Sequence, residues 1–266
     1  MYGWAIGDSS TIISTQNGGE SWFKQKSPDI SRKMRKIQFV NRDTGYIIGE
    51  SGLILKSING GMNWQKIDSI YSYNYSDLSF IDENTGWLCG SKEEPTTRTG
   101  VILNTKTGGI RWSKQIEIIA NSFNGVSPIL FTAVDFLNDS LGWALGSDWQ
   151  DNLSPTHTYF TSDSGNQWDI IGSYESSPFG YLEIISRDTL WACGFVFATS
   201  VNGGKSWIIP GYDNFCLWPA DITPIDGIRG WAIHNNILSQ EKEHKVVYTA
   251  DGGLLWQDEL DLSTTR

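Results

Sequence analysis

Two acidic residues stand where this chain could do chemistry. Asp135 and Glu183 each lie eight residues ahead of a tryptophan, Trp143 and Trp191, that opens a short apolar run. The same offset before Tyr46, Trp87 and Trp231 falls on Gln38, Ser79 and Thr223; two residues earlier stand Lys36, Asp77, Ala133, Tyr181 and Asp221. Side chains two apart on a strand share a side, so both sets are expected to line one side of equivalent strands. Two carboxylates at equivalent sites on adjacent repeats can divide into a general acid and a general base, as in glycoside hydrolysis, with Asp77 or Asp221 assisting. The competing reading is that such residues hydrogen-bond neighbouring backbone or water.

What must position these strands is a repeat, seen most plainly in residues 45–64. Tyr46-Ile47-Ile48 and Leu53-Ile54-Leu55 are apolar runs joined by Gly49-Glu50-Ser51-Gly52, which reads as a hairpin. Asn59-Gly60-Gly61 then supplies the positive φ of a tight turn, and Trp64 begins another strand. With Ile37-Gln38-Phe39-Val40 ahead of it, the unit holds four antiparallel strands, A to D. Six units align on Trp22, Trp64, Trp112, Trp168, Trp207 and Trp256, with spacings of 42, 48, 56, 39 and 49 residues. Such uneven spacing places insertions in loops. The B–C loop is expected to be long at residues 91–100, 147–157 and 235–245.

The closing turns are centred on Asn17, Asn59, Thr107, Asp163, Asn202 and Asp251. Each has Ser or Thr two residues before, glycine after and tryptophan at its end, and a GWxxG-like segment precedes it. This pattern resembles the Asp-box, or bacterial neuraminidase, repeat, and most of all propellers similar to the photosystem II stability and assembly factor. The resemblance implies an all-β, six-bladed β-propeller of four-stranded antiparallel blades, the first lacking strand A; seven blades are expected if the N-terminus is truncated. One domain over residues 1–266 is expected, with blades near 1–25, 36–67, 77–116, 132–171, 181–209 and 221–260. It implies that the boxes are structural staples in the C–D turns, away from the usual ligand face. Because Thr107 replaces the carboxylate or amide, and Asn63, Arg111, Gln167 and Leu255 replace the hydroxyl before tryptophan, the boxes are not expected to share one set of hydrogen bonds. Asp-box propellers include sialidases, xyloglucan-degrading hydrolases, receptors and assembly factors, so the resemblance speaks to fold rather than activity.

Binding is expected on the face carrying the D–A connections and B–C loops. Those segments hold Tyr71, Tyr73, Tyr75, Phe123, Trp149, Tyr174, Phe179, Tyr212, Phe215 and Trp218. Tyr73, Tyr75, Trp149, Phe215 and Trp218 are the aromatics best suited to grip a sugar or a protein. The alternative is that they cover the blade ends as a minor core. Arg32, Lys33 and Arg35 belong to the one basic run, residues 31–36, which suits a partner's acidic surface or a solvated loop.

Net charge of −10 and a pI near 4.7 oppose nucleic acid or an anionic membrane as a general partner. No apolar run approaches a membrane span, so membrane insertion is not expected. Met1-Tyr2-Gly3-Trp4 lacks the regions of a signal peptide, although the resemblance implies a location outside the cytoplasm. Cys89 and Cys193 share a repeat position with Ile6, Ile48, Leu145 and Ile233 and read as core residues; Cys216, in a connection, is the plausible reactive thiol. His157, His234 and His244 have no metal-ligand spacing, and no nucleotide or nucleophile-elbow motif occurs. Neither metal nor cofactor is expected. A sialidase would need an arginine cluster and an Arg-Ile-Pro segment, neither of which is visible.

The expected function is therefore a monomeric, non-enzymatic scaffold that binds a protein or glycan. The alternatives are a glycoside hydrolase using Asp135 and Glu183, or a structural repeat of a larger secreted protein.

Overall fold

A computed structural model describes residues 1–7, 9–28, 32–67, 71–121, 129–148, 155–175, 179–194, 196–210, 219–236 and 243–261. The fold is a six-bladed β-propeller built of six antiparallel sheets, one for each sequence repeat. Blade one has three strands, β1 (Gly3–Gly7), β2 (Thr11–Thr15) and β3 (Phe23–Lys24). Blade two has β4 (Met34–Phe39), β5 (Gly45–Gly49), β6 (Ile54–Ser57) and β7 (Gln65–Lys66). Blade three has β8 (Asn74–Phe80), β9 (Gly86–Glu93), β10 (Thr97–Thr105) and β11 (Ser113–Asn121). Blade four has β12 (Ile129–Phe136), β13 (Gly142–Asp148), β14 (Thr156–Thr161) and β15 (Asp169–Tyr174). Blade five has β16 (Phe179–Ile184), β17 (Leu190–Gly194) and β18 (Phe197–Ser200), with a single bridge between Thr199 and Ile208 in place of a fourth strand. Blade six has β19 (Pro219–Pro224), β20 (Gly230–Asn236), β21 (Glu243–Thr249) and β22 (Gln257–Asp261). The chain divides into two compact units, Met1–Asp139 and Ser140–Arg266.

The GWxxG-like motif is explained by what each glycine meets. In the first unit, Phe39 and Phe80 at the end of strand A lie over Gly45 and Gly86 at the start of strand B; a Cβ there would fall 2.6 and 2.4 Å from the ring. At the fifth residue of strand B, a Cβ on Gly49 would sit 2.1 Å from the Lys33 carbonyl, and one on Gly90 2.4 Å from that of Asn74. The chain entering each blade crosses there, so the site must be bare. The aromatic after the first glycine stacks on the strand-A phenylalanine of the next blade: Trp4 on Phe39 at 3.6 Å, Tyr46 on Phe80 at 3.7 Å and Trp87 on Phe136 at 3.5 Å, each within 9° of parallel. The box tryptophan of that next blade closes on the same phenylalanine edge-on, Trp64 on Phe39 and Trp112 on Phe80. Such pairs add about 0.5–1.5 kcal/mol each beyond burial. In the second unit Trp191, Phe197 and Trp256 make the corresponding cluster with Ile222 and Val247.

The six closing turns make one common pair of bonds, contrary to expectation. In every unit the Ser or Thr hydroxyl accepts the N–H of the second glycine, from Gly19 to Thr15 (2.9 Å) through Gly61 to Ser57, Gly109 to Thr105, Gly165 to Thr161 and Gly204 to Ser200, to Gly253 on Thr249 (3.0 Å). The Asn, Asp or Thr side chain accepts the N–H four residues on, at 2.9 to 3.0 Å in all six. Thr107 serves because its hydroxyl is also an acceptor, and to this common pair the residue before tryptophan contributes only its backbone N–H. What varies is an added side-chain bond, made by Asn17 to Ser21 and by Asn202 to Ser206.

The expected long B–C loop over residues 91–100 is mostly strand. β9 and β10 run on to a tight turn in which Glu94 and Thr97 exchange backbone bonds around Pro95, and β11 pairs alongside as far as Asn121. Proline at the second position of a turn needs only a short connection, so the insertion lengthens the blade. In blade six the strands likewise reach Asn236 and start again at Glu243. Among the described residues no helix is long and apolar enough to cross a membrane.

Candidate functional site

The register of the inner strands is that expected. Gln38, Ser79, Glu183 and Thr223 sit opposite Tyr46, Trp87, Trp191 and Trp231; Lys36, Asp77, Tyr181 and Asp221 sit opposite the residue two further on. Strand A is paired on one side only. In an antiparallel ladder alternate residues turn both backbone groups toward the partner strand and the others turn theirs away. Val40 N–H donates to Thr44 and Ile81 N–H to Thr85, so in β4 the residues facing outward are Ile37 and Phe39, and in β8 they are Leu78 and Phe80.

Those outward groups are met by polar side chains of the preceding strand A. Gln38 Oε1 accepts Phe80 N–H at 2.8 Å, while its Nε2 donates to Phe80 C=O at 3.2 Å. Asp77 Oδ2 accepts Val134 N–H at 3.1 Å. Ser79 Oγ accepts Phe136 N–H at 3.1 Å and donates to Asp135 Oδ1 at 2.8 Å. Asp135 Oδ1 also takes the Phe136 N–H at 2.8 Å. The row that looked suited to acid–base chemistry is, in the first unit, a set of clamps that join one inner strand to the next and cover its edge. No sequence signal marked Gln38 as a two-sided clamp beyond its place in the repeat.

Asp77 is the most perturbed of these groups. It is buried, and burial pushes its carboxyl up to about 6; the Lys36 ammonium, 3.7 Å away, and the Val134 N–H pull the other way, and Asp135 pushes it further up. Cys89 lies opposite Asp77, and burial together with that carboxylate pushes its thiol well up, as suits an inert core residue. Cys89 and Cys193 are both buried and form no disulfide, and Cys216 lies outside the described residues. Glu183, in the second unit, is half-buried. The Asp221 side chain lies outside the described residues. Among the described residues no group of three or more His, Cys, Asp or Glu could hold a metal ion.

The tyrosines expected as an exposed grip are core residues. Tyr73 and Tyr75 are 6% and 1% exposed and pack with Tyr46, Ile48 and Ile54 of blade two and Leu78, Val101 and Trp112 of blade three. A D–A connection must cross from the outer edge of one blade to the inner strand of the next, which lays its aromatics over the core between them. The Tyr73 hydroxyl ends on Glu117 at 2.7 Å, and Lys114 stands over the Tyr71 ring. Burial pushes the Tyr73 phenol up to about 12, with Glu117 adding to the rise. Phe179 is buried as well. Trp149, Phe215 and Trp218 lie outside the described residues, as do Phe123 and Tyr212.

The basic run remains at the loop end of blade two. Arg35 pairs with Glu50 at 2.6 Å, and Lys36 faces inward to Asp77. Lys33 is exposed and Arg32 half-buried, and neither lies within 4.0 Å of a carboxylate among the described residues. The B–C turn beside them, Glu50–Gly52, is sewn to both neighbouring connections: Glu50 N–H donates to Lys33 C=O, Ser51 N–H to Asn74 Oδ1 and Gly52 N–H to Tyr73 C=O. The Lys33 backbone is thus tied to the B–C turn.

Sequence comparison matches residues 1–70 to the family described as photosynthesis system II assembly factor YCF48. The chain is a BNR-type propeller similar to the photosystem II assembly factor. No curated protein sequence matches it. Among solved structures, YCF48 from Cyanidioschyzon merolae is similar with a TM-score of 0.54 and 18% identity, over 89% of this chain and 87% of that one. A protein of unknown function from Bacteroides caccae has a TM-score of 0.64 at 8% identity, over 97% and 93%. The GH74 xyloglucanase from Xanthomonas campestris has a TM-score of 0.60 at 12% identity, with 96% of this chain covering 50% of the enzyme. At these identities the likeness is one of fold.

Proposed function

We propose that residues 1–266 form a non-enzymatic scaffold of the assembly-factor kind, binding an acidic segment of a partner protein at the loop end of blade two. The observation that carries this reading is the family match over residues 1–70, which includes the whole basic run. Arg32 and Lys33 supply a local positive patch on a protein of net charge −10, and Arg35 extends it once its bond to Glu50 is exchanged for the partner. Charge complementarity of this kind sets encounter rate and register more than tight affinity. The commitment of Asp77 and Asp135 to backbone N–H groups favours a scaffold over a hydrolase.

The test is chemical cross-linking in an extract of the source cells, comparing the native chain with an Arg32→Glu/Lys33→Glu variant. A cross-linked polypeptide seen with the first and lost with the second supports the reading. Equal recovery, or turnover on a glycan panel that Asp135→Asn abolishes, overturns it.

A further inference from the structure

Blade one differs from blades two and three at its inner edge. Its sheet begins at β1, and none of the strands among the described residues pairs on the other side of that strand. In blade two the equivalent strand β5 is buried throughout, and Tyr46 and Ile48 pair with Gln38 and Lys36 of strand A. By the same register Trp4 and Ile6 turn their backbone groups toward the open side, and residues Gly3, Trp4, Ala5 and Ile6 are only half-buried.

Two further groups lack the partner that the repeat provides elsewhere. Trp22 is 44% exposed, against 8% for Trp64 and Trp112, because those two are covered edge-on by Phe39 and Phe80. Those phenylalanines lie over Gly45 and Gly86; over Gly3 there is the Trp22 ring and the Thr15 methyl. The outward backbone groups of Phe80 are held by Gln38, and the Phe136 N–H by Ser79, whereas among the described residues no side chain meets those of Phe39. The ring of Phe39 is already fixed by stacking on Trp4.

We infer that the open edge of blade one is a binding site for an extended segment of a partner polypeptide, which adds antiparallel to β1 as strand A. The repeat itself states the chemistry of that segment, through Ile37-Gln38-Phe39, Leu78-Ser79-Phe80 and Val134-Asp135-Phe136. Its phenylalanine lies over Gly3 and against Trp22. The residue before it, an amide, hydroxyl or carboxylate, sits opposite Trp4 and reaches the backbone of Phe39. The residue before that is apolar and sits opposite Ala5. Main-chain bonds supply the affinity of such strand addition, and the aromatic seat supplies its selectivity. The inference deepens the scaffold reading, sharing with it only the premise that the partner is a polypeptide.

The test uses the 266-residue protein and a capped peptide copying residues 75–81, followed by hydrogen exchange and by titration. The expected result is saturable binding that slows exchange of the Trp4 and Ile6 amides. A peptide with alanine for the Phe80 equivalent should bind at least about tenfold more weakly, as should the native peptide to Gly3→Leu or Trp22→Ala protein. Binding should be unchanged in Arg32→Glu/Lys33→Glu, so failure of the basic patch and failure of this site are separately visible. The inference is overturned if exchange at Trp4 and Ile6 does not respond, if it is already slow without peptide because a second copy or other chain covers the edge, or if the alanine peptide binds equally well.

Discussion

Gln38 holds both backbone groups of Phe80, accepting its N–H at 2.8 Å and donating to its C=O at 3.2 Å across the gap between two inner strands. Neither group has a partner in its own sheet, so the amide replaces a whole ladder position. Gln38→Ala is expected to destabilise the chain by about 1–3 kcal/mol, the cost of leaving such groups unpaired. Gln38→Glu keeps the acceptor but sets an oxygen against the Phe80 carbonyl, and should recover only part of that loss at neutral pH. Urea unfolding of the three proteins measures the order.

Asp77 should make stability depend on pH in an unusual direction for a carboxylate. Its pKa is raised from an ordinary 3.8 to about 6, so the folded chain binds this proton more tightly than the unfolded chain. Its contribution is therefore fully present below about pH 4 and is lost as pH rises through about 6. A shift of roughly two units corresponds to about 3 kcal/mol. Relative to Asp77→Asn, the native protein should lose on the order of 2–3 kcal/mol between pH 4 and pH 8. Urea midpoints for the pair at several pH values would refute this by running parallel.

Gly86 has no room for a methyl group. A Cβ would lie 2.4 Å from the Phe80 ring, which is held at 3.7 Å against Tyr46 and edge-on to Trp112. Gly86→Ala is expected to cost about 1–3 kcal/mol or more by overpacking. In combination with Phe80→Ala the two losses should sum to less than their separate values, because the clash disappears with the ring. A double-mutant cycle in denaturant reads the coupling.

Ser57 carries the closing turn of blade two. Its buried hydroxyl accepts the N–H groups of Gly61 and Asn59, at 2.9 and 3.3 Å. Ser57→Ala should cost about 1–2 kcal/mol, and Ser57→Thr should be tolerated, since Thr15, Thr105, Thr161 and Thr249 do the same work. Thermal melting distinguishes the two variants.

Fold class, blade number and inner-strand register could all be read from residue order, because they follow from local chemistry. The closing turns demand positive φ, met by paired glycines in five copies and by Ser164-Gly165 in the other, and alternation sets which side a strand residue takes. That blade one opens on its strand B was equally legible, from the alignment of Gly3-Trp4 with the other repeats. Sequence also placed Asp77 and Asp135 in a row of polar inner-strand residues. Which partners they met was not legible: the Val134 and Phe136 N–H groups come from a strand more than fifty residues away.

The same limit governed the tyrosines and the loops. Tyr73 was correctly placed in a D–A connection, whereas Tyr75, expected there too, lies in β8; whether such a connection lies over solvent or over core depends on what its path crosses, and it crosses the packed space between blades two and three. Residues 91–100 were expected as a loop between strands B and C, but Pro95 lets the turn shrink to 94–96 and the two strands take up the rest. Residue types and their spacing thus determined which elements exist and in what order, because those depend on neighbours in the chain. Tertiary structure alone decided which polar groups are spent on holding the blades together and which side chains, such as Trp22 and Lys33, stay exposed, because that depends on surfaces that meet only after folding.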